Sequence, residues 1–360
     1  MPLPLNTEAD SGSGIRPLQM LEAFKSLGYN VDLIAGFGRE RRRCIRYIKD
    51  NISNGVVYEF LYSESSTMPT LLTEQHHLPL YPFVDFSFFN FCQKQSIPIG
   101  LFYRDIYWLF HEYSNDINKY KAAIAIKFYY YDLNQYRKYL SRLYLPSIEM
   151  AQYLPMIDPN ICAALPPGYV MDNDISKVAR ANINKLKLLY IGGIGNHYQM
   201  HQLFDALKHM PDVELLLCTR EAEWHAVQHE YLNPLPKNIN IIHKSGDELR
   251  TLFDWADIAV LFVKPHEYRS FAAPLKLYEY LGNLKPIIAS QDTGAGQFVD
   301  SNRIGWVVPY QAKALKRLLQ FLLSNPKEIE EKKIRCREIS PNHSWQARAQ
   351  YVVNDMISIK

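Results

Sequence analysis

Short runs of consecutive apolar residues alternate with stretches of three- to four-residue apolar spacing along almost the whole chain. The runs NVDLIAGF (30–37), VVYEFLY (56–62), IPIGLFY (97–103) and RLYLP (142–146) predict strands in the first half. LKLLYIGGI (186–194), VELLLC (213–218), NINIIH (238–243), IAVLFV (258–263) and IGWVVPY (304–310) predict them in the second. Between them the spacing predicts helices over Pro17–Leu27, Arg39–Lys49, about 83–95, up to about 141, 199–210 and 246–256, with two more at the C-terminal end. Strands alternating with helices imply parallel sheets built from βαβ units. LPPGY (165–169) reads as a turn and a domain boundary, and the polar stretch 171–185 as a linker. The expectation is an α/β protein of two doubly wound Rossmann-like domains facing a cleft, residues 1–167 and 168–341, with the last helix, 342–360, packing back on the first. Ligands in such sheets bind beyond the carboxyl ends of the strands.

Composition narrows this only slightly. The 360 residues are 48% hydrophobic, enough for more than one packed core. A net charge of +3 carries no general signal for nucleic acid. The five cysteines are dispersed and form no C-x-x-C pair, which fits a reduced, cytoplasmic protein better than a disulfide scaffold. No apolar run reaches about 18 residues, so no membrane-spanning helix is expected.

Candidate chemistry concentrates in residues 274–290, PLKLYEYLGNLKPIIAS. Pro274 suits a first helical turn, where its missing N–H is not needed. The N–H groups of Leu275 and Lys276 then point out of a helix start, where the dipole favours an anion, and Lys276 adds positive charge. Glu279 stands one turn further on the same side. Its carboxylate can accept two hydroxyl donors at once, such as the pair on a ribose. A nucleoside diphosphate would thus set its phosphates on the helix start and its ribose on Glu279. The same spacing also reads as an ordinary lysine–glutamate pair, worth roughly 0.2–0.5 kcal/mol.

PLKLYEYLGNLKPIIAS, with YIGGIGNHYQMHQLFDAL before it and GWVVPY after it, resembles the donor half of GT-B glycosyltransferases of the large family 4 type. SGSGIRPLQMLEAFKSLGYNVDLI resembles their N-terminal glycine loop and first helix. The resemblance implies a retaining transfer from a nucleoside-diphosphate sugar. Glu279 would bind ribose, and the backbone at Leu275 and Lys276 the diphosphate. The glycine turn after the 186–194 strand, with Gly193, Gly195, Asn196 and His197, would approach from the other side, and Gly14 from the first helix. Three departures stand out. The acid expected at 271 is Phe271. The basic pair expected after the glycine turn is replaced by NHYQMH, which shifts charge neutralisation to Arg269 and Lys276, with His197. The strand expected before the glycine loop has only MPLPLNTEAD in its place. As a dinucleotide fingerprint, GGIGNHY fails at its last position, Tyr198, and Glu214 opens the next strand instead of ending it.

Departure of a nucleoside diphosphate needs preorganised donors, which helix N–H groups and Arg or Lys supply. No D-x-D pair lies in a suitable loop, so neither metal nor cofactor is expected. An inverting transfer would also need a base facing the acceptor, which would come from loops at N-terminal strand ends, where Asp105, Glu64 and His77, with its neighbour His76, are the candidates. The basic helix RERRRCIRYIKD and the tyrosine-rich basic stretch 119–145 suit an anionic membrane surface, or else a solvated face. The expected partners are a sugar nucleotide, a glycan or lipid-diphosphate-linked acceptor in bacterial surface-polysaccharide synthesis, and the inner face of the cell membrane, with no nucleic acid. A sugar-nucleotide epimerase and a non-catalytic nucleotide-binding protein are the competing classes.

Overall fold

The computed structural model describes residues 2, 4–5, 12–111, 113, 117–171, 185–196, 198–231 and 233–359. The chain divides into two compact units, Met1–Pro167 with Trp345–Lys360, and Gly168–Ser344. The 171–185 linker lies largely outside the described residues.

The N-terminal unit is built on a parallel sheet of β1 (Leu61–Glu64), β2 (Ile99–Phe102), β3 (Arg142–Leu145) and β4 (Cys162–Ala164), adjacent in that order. Its helices include α1 (Gly12–Ser26), α2 (Gly38–Ser53), α3 (Val84–Lys94) and α4 (Lys119–Tyr139). β2 is buried along its whole length, as a strand covered on both faces must be. α1 stops before Gly28, whose φ of +88° a side chain would resist. The helix Trp345–Ile359 completes this unit. Arg142 grips Asp355 through two 2.9 Å bonds, and the Tyr144 hydroxyl donates to the same carboxylate at 2.8 Å. A Cβ at Gly100 would lie 2.8 Å from Met356 Sδ, so β2 needs glycine where this helix crosses it.

Two predicted strands are shortened here. Residues 30–35 run without strand pairing, and of the 56–62 run only Leu61 and Tyr62 enter β1. A β-branched run is extended by preference but becomes a strand only when a neighbour completes its ladder.

The C-terminal unit carries a six-stranded parallel sheet in the order β10-β9-β8-β5-β6-β7, where β5 is Leu186–Ile191, β6 Val213–Cys218, β7 Ile239–Ile242, β8 Ile258–Leu261, β9 Ile287–Ser290 and β10 Gly305–Val308. The strand order reverses between β5 and β8, which defines the point where an open α/β sheet binds ligands. Pro274 stands just outside the helix Leu275–Gly282 with an extended ψ of 138°, rather than within its first turn. The C-terminal end holds three helices, Ala312–Ser324, Pro326–Ile339 and Trp345–Ile359, because Pro326 restarts a helix immediately after Asn325.

Candidate functional site

At the β5–β8 reversal two loops meet. Lys264 N–H donates to the Gln199 carbonyl at 2.9 Å, and the Arg269 guanidinium lies 4.2 Å above the Tyr198 ring. The first loop is the glycine turn. Gly192 has φ +151° and Gly195 +140°, values that favour glycine. An ideal Cβ on Gly192 would meet Lys276 Cε at 1.8 Å, so the missing side chain lets the lysine lie directly on the turn. The turn is braced from below, since the Tyr190 hydroxyl donates to the Gly193 carbonyl at 2.6 Å.

The helix Leu275–Gly282 is fixed to the end of β5 by Tyr280. Its hydroxyl accepts from Ile191 N–H at 2.8 Å and donates to the Ile191 carbonyl at 3.3 Å. Leu277 N–H folds back to the Pro274 carbonyl at 3.1 Å, so Leu275 and Lys276 lead the helix with their N–H groups ahead of its own ladder. Glu279 follows one turn on. Burial holds its carboxyl above the ordinary range, against the pull of the Lys276 ammonium. Among the described residues neither the Glu279 carboxylate nor the Lys276 ammonium has a hydrogen-bond or ion-pair partner. Two opposite charges therefore stand uncommitted, one on the glycine turn and one a helical turn away.

Gly193 and Gly195 lie on this turn, and Asn196 is exposed at its tip. His197 lies outside the described residues. Arg269 is half-buried against Tyr198, and burial lowers its pKa. Phe271 is 3% exposed and meets the Tyr268 ring edge-on, so the position where the resemblance expects an acid is filled by a core aromatic. Glu223 was not foreseen: it accepts from Ile194 N–H at 3.2 Å and from Arg220 Nη1 at 2.7 Å, placing a carboxylate against the glycine turn. No local pattern marks it, because the contact spans 29 residues.

Gly14 and the three base candidates belong to the N-terminal unit. Gly14 lies in the first turn of α1. Glu64 ends β1, but both its oxygens are engaged. Arg16 Nε donates to one at 3.1 Å, Arg104 Nη2 to the other at 3.0 Å, and the Tyr62 hydroxyl adds a third bond. With Glu64 only 4% exposed, this is a buried counter-ion and not a carboxylate open to a substrate hydroxyl. Asp105 is half-buried beyond the end of β2, and its Oδ1 accepts Tyr107 N–H at 2.8 Å, heading the short turn Tyr107–Leu109. His77 is exposed, with Nδ1 3.1 Å from the Leu72 carbonyl. His76 is likewise on the surface. The three candidates thus separate into a buried ion pair, a turn-heading carboxylate and a surface imidazole. Among the described residues no cluster of three His, Cys, Asp or Glu side chains is placed to hold a metal ion, and no helix is long and apolar enough to cross a membrane.

Two parallel α/β sheets, the first running in sequential order among the described residues and the second doubly wound with a helix start and a glycine turn at its switch point, match the fold of GT-B glycosyltransferases. Residues 171–342 match the family model Glycosyl transferases group 1. Among solved structures the chain is similar to Anabaena HepE in complex with UDP and glucose, at 12% identity, 98% of each chain covered and a TM-score of 0.62. It is also similar to the sucrose-phosphate synthase of Thermosynechococcus elongatus, at 14% identity, covering 97% of this chain and 94% of that one, TM-score 0.62. A third similarity is to WaaG, a glycosyltransferase involved in lipopolysaccharide biosynthesis, at 12% identity, covering 99% and 97%, TM-score 0.56. No curated protein sequence matches the chain.

Proposed function

We propose that this protein transfers a sugar, with retention, from a nucleoside-diphosphate sugar to a glycan or lipid-diphosphate-linked acceptor in bacterial surface-polysaccharide synthesis. The observation that carries the reading is the uncommitted Lys276–Glu279 pair on the glycine turn. Lys276 and the leading N–H groups of its helix suit a diphosphate, and Glu279 suits the two ribose hydroxyls. In the reaction the bond from the anomeric carbon to the diphosphate oxygen breaks, and the electron pair leaves with the phosphate. The acceptor hydroxyl forms the new bond and passes its proton to the departing phosphate oxygen. Lys276 and Arg269 oppose the charge that develops on the leaving group, and no metal or cofactor is required for that. An inverting transfer would instead need a base on the acceptor side, for which Asp105 is the candidate, because Glu64 is spent on two arginines. HepE, of similar fold, was crystallised with UDP and glucose, and WaaG acts in lipopolysaccharide biosynthesis, which supports this substrate class.

The acceptor would be met at the inner face of the cell membrane, by a peripherally bound cytoplasmic protein. Arg39, Arg42, Arg43 and Arg46 lie on the exposed face of α2, and Tyr120 and Ile124 on that of α4, a mixture suited to anionic headgroups.

Calorimetric titration with UDP, GDP, dTDP, ADP and CMP tests the donor site. One nucleotide is expected to bind, and Glu279→Ala is expected to weaken it by about 1.5–3 kcal/mol, the scale of hydrogen bonds to a charged group. Unchanged affinity in the folded variant would remove Glu279 from ribose binding. Nucleotide binding without transfer to any acceptor would favour a binding protein, and sugar-nucleotide turnover without acceptor an epimerase.

A further inference from the structure

The glycine turn after β5 lies between two opposite charges. Gly192 and Gly193 are neighbours in the chain. The stem of Lys276 lies over the first, where an added Cβ would meet Cε at 1.8 Å. The carboxylate of Glu223 lies against the second, where an added Cβ would stand 3.2 Å from Oε2. Three donors hold that carboxylate in place. Ile194 N–H reaches Oε2 at 3.2 Å, the Thr219 hydroxyl reaches the same oxygen at 3.5 Å, and Arg220 Nη1 reaches Oε1 at 2.7 Å. Thr219 is buried, and its carbonyl lies 2.8 Å from His243 Nδ1, so the inner mooring belongs to the packed fold. Arg220 is 56% exposed, so water screens the cation on the outer oxygen. The inner oxygen faces the turn.

A carboxylate is a costly neighbour for a diphosphate. Lys276, Arg269 and the start of the helix Leu275–Gly282 all attract an anion, and Coulomb attraction grows with the anion's charge. A nucleoside-diphosphate sugar is a dianion. The nucleoside diphosphate left after transfer has a free terminal phosphate, whose second proton leaves with a pKa of about 6. At pH 8 the product therefore carries a third negative charge. Cations alone would hold the product more tightly than the donor. A fixed negative charge at the same turn acts in the opposite sense, because it repels the trianion more than the dianion. We propose that Glu223 sets the discrimination between the sugar nucleotide and the spent diphosphate, lowering affinity for the product more than for the donor. This rests on the donor-site reading above and adds a means of clearing that site. Product release limits the turnover of many enzymes, and here Glu223 speeds it.

The test is calorimetric titration at pH 8 and pH 5 with diphosphates and their glucose esters: UDP and UDP-glucose, GDP and GDP-glucose, dTDP and dTDP-glucose, ADP and ADP-glucose. The parent protein is compared with Glu223→Gln and Arg220→Met. Glu223→Gln keeps an oxygen for Ile194 N–H and removes the charge. At pH 8 it is expected to tighten the diphosphate about threefold or more beyond any change for the ester. At pH 5 the terminal phosphate keeps its proton and both ligands are dianions, so the ratio of the two affinities is expected to match that of the parent. The nearby imidazoles of His225 and His243 act alike on two dianions, whatever their charge. Arg220→Met bares the carboxylate and is expected to shift the ratio the other way at pH 8. A ratio unmoved by Glu223→Gln at pH 8, or moved equally at both pH values, would overturn the proposal and leave the donor site standing, with Glu223 a brace for the turn. A parent protein that binds none of these ligands would overturn the donor-site reading itself, and this proposal with it.

Discussion

Asp132 offers a quantitative test of the N-terminal core. It sits on α4, 3% exposed, with Oδ2 accepting Thr70 N–H at 2.7 Å and Oδ1 without a partner among the described residues. Burial raises its carboxyl from 3.8 to about 7, and Asp85 adds to the effect. The folded pKa is raised, so the folded state holds this proton more tightly than the unfolded one. Above pH 7 the carboxylate is charged in both states and the full burial penalty applies. As pH falls from 7 toward 3.8 the penalty is relieved. A shift of this size corresponds to at most about 4 kcal/mol at 1.36 kcal/mol per unit. Asp132→Asn keeps an oxygen for Thr70 and removes the charge, but leaves an amide N–H₂ short of acceptors, at a cost of about 1–3 kcal/mol. The expected outcome is a variant more stable by about 1–3 kcal/mol at pH 8, with the gain gone or reversed at pH 4. Urea denaturation of both proteins at pH 4, 6 and 8 measures it. An equal difference at all three values would refute the reasoning.

Three further outcomes are expected. Glu64→Gln leaves Arg16 and Arg104 buried without a counter-charge, and should destabilise the protein by about 3–5 kcal/mol in thermal or urea unfolding. Gly192→Ala forces Lys276 off the turn and strains a φ of +151°, so nucleotide affinity measured by calorimetry should fall tenfold or more while the C-terminal unit stays folded. Reversing Arg42, Arg43 and Arg46 to glutamate should release the protein from anionic vesicles in a cosedimentation assay and leave its behaviour with neutral vesicles unchanged. Absence of vesicle binding by the parent protein would end the membrane reading.

The C-terminal sheet was legible because its central strands read as near-continuous apolar runs: IAVL and IIAS are buried throughout, and LKLLYI everywhere but Lys187. The arrangement of residues 274–279 was legible for a related reason: a lysine and a glutamate fall within one short helix directly after a proline, so their geometry follows from local periodicity. The fate of Glu64 was not, since its partners Arg16 and Arg104 are 48 and 40 residues away and only the fold brings them together. The runs at 30–37 and 56–62 misled in a different way. Their residues favour extended backbone, but the length of a strand is set by its neighbour, and no local pattern contains the neighbour. Glu223 reached the glycine turn by a similarly long connection.

The grip of Arg142 and Tyr144 on Asp355 has a consequence for synthesis. The first helix of the N-terminal unit is made early, yet the helix that packs on it and on β2 emerges last, after the whole of Gly168–Ser344. At roughly 5–20 residues per second, that interval is on the order of ten to thirty-five seconds. During it the ribosome carries a half-finished domain whose apolar back is bare, and the downstream domain receives its last residue before that back is covered. A nascent chain arrested before residue 345 would therefore be a client for chaperones, and order of translation would be the reverse of order of completion.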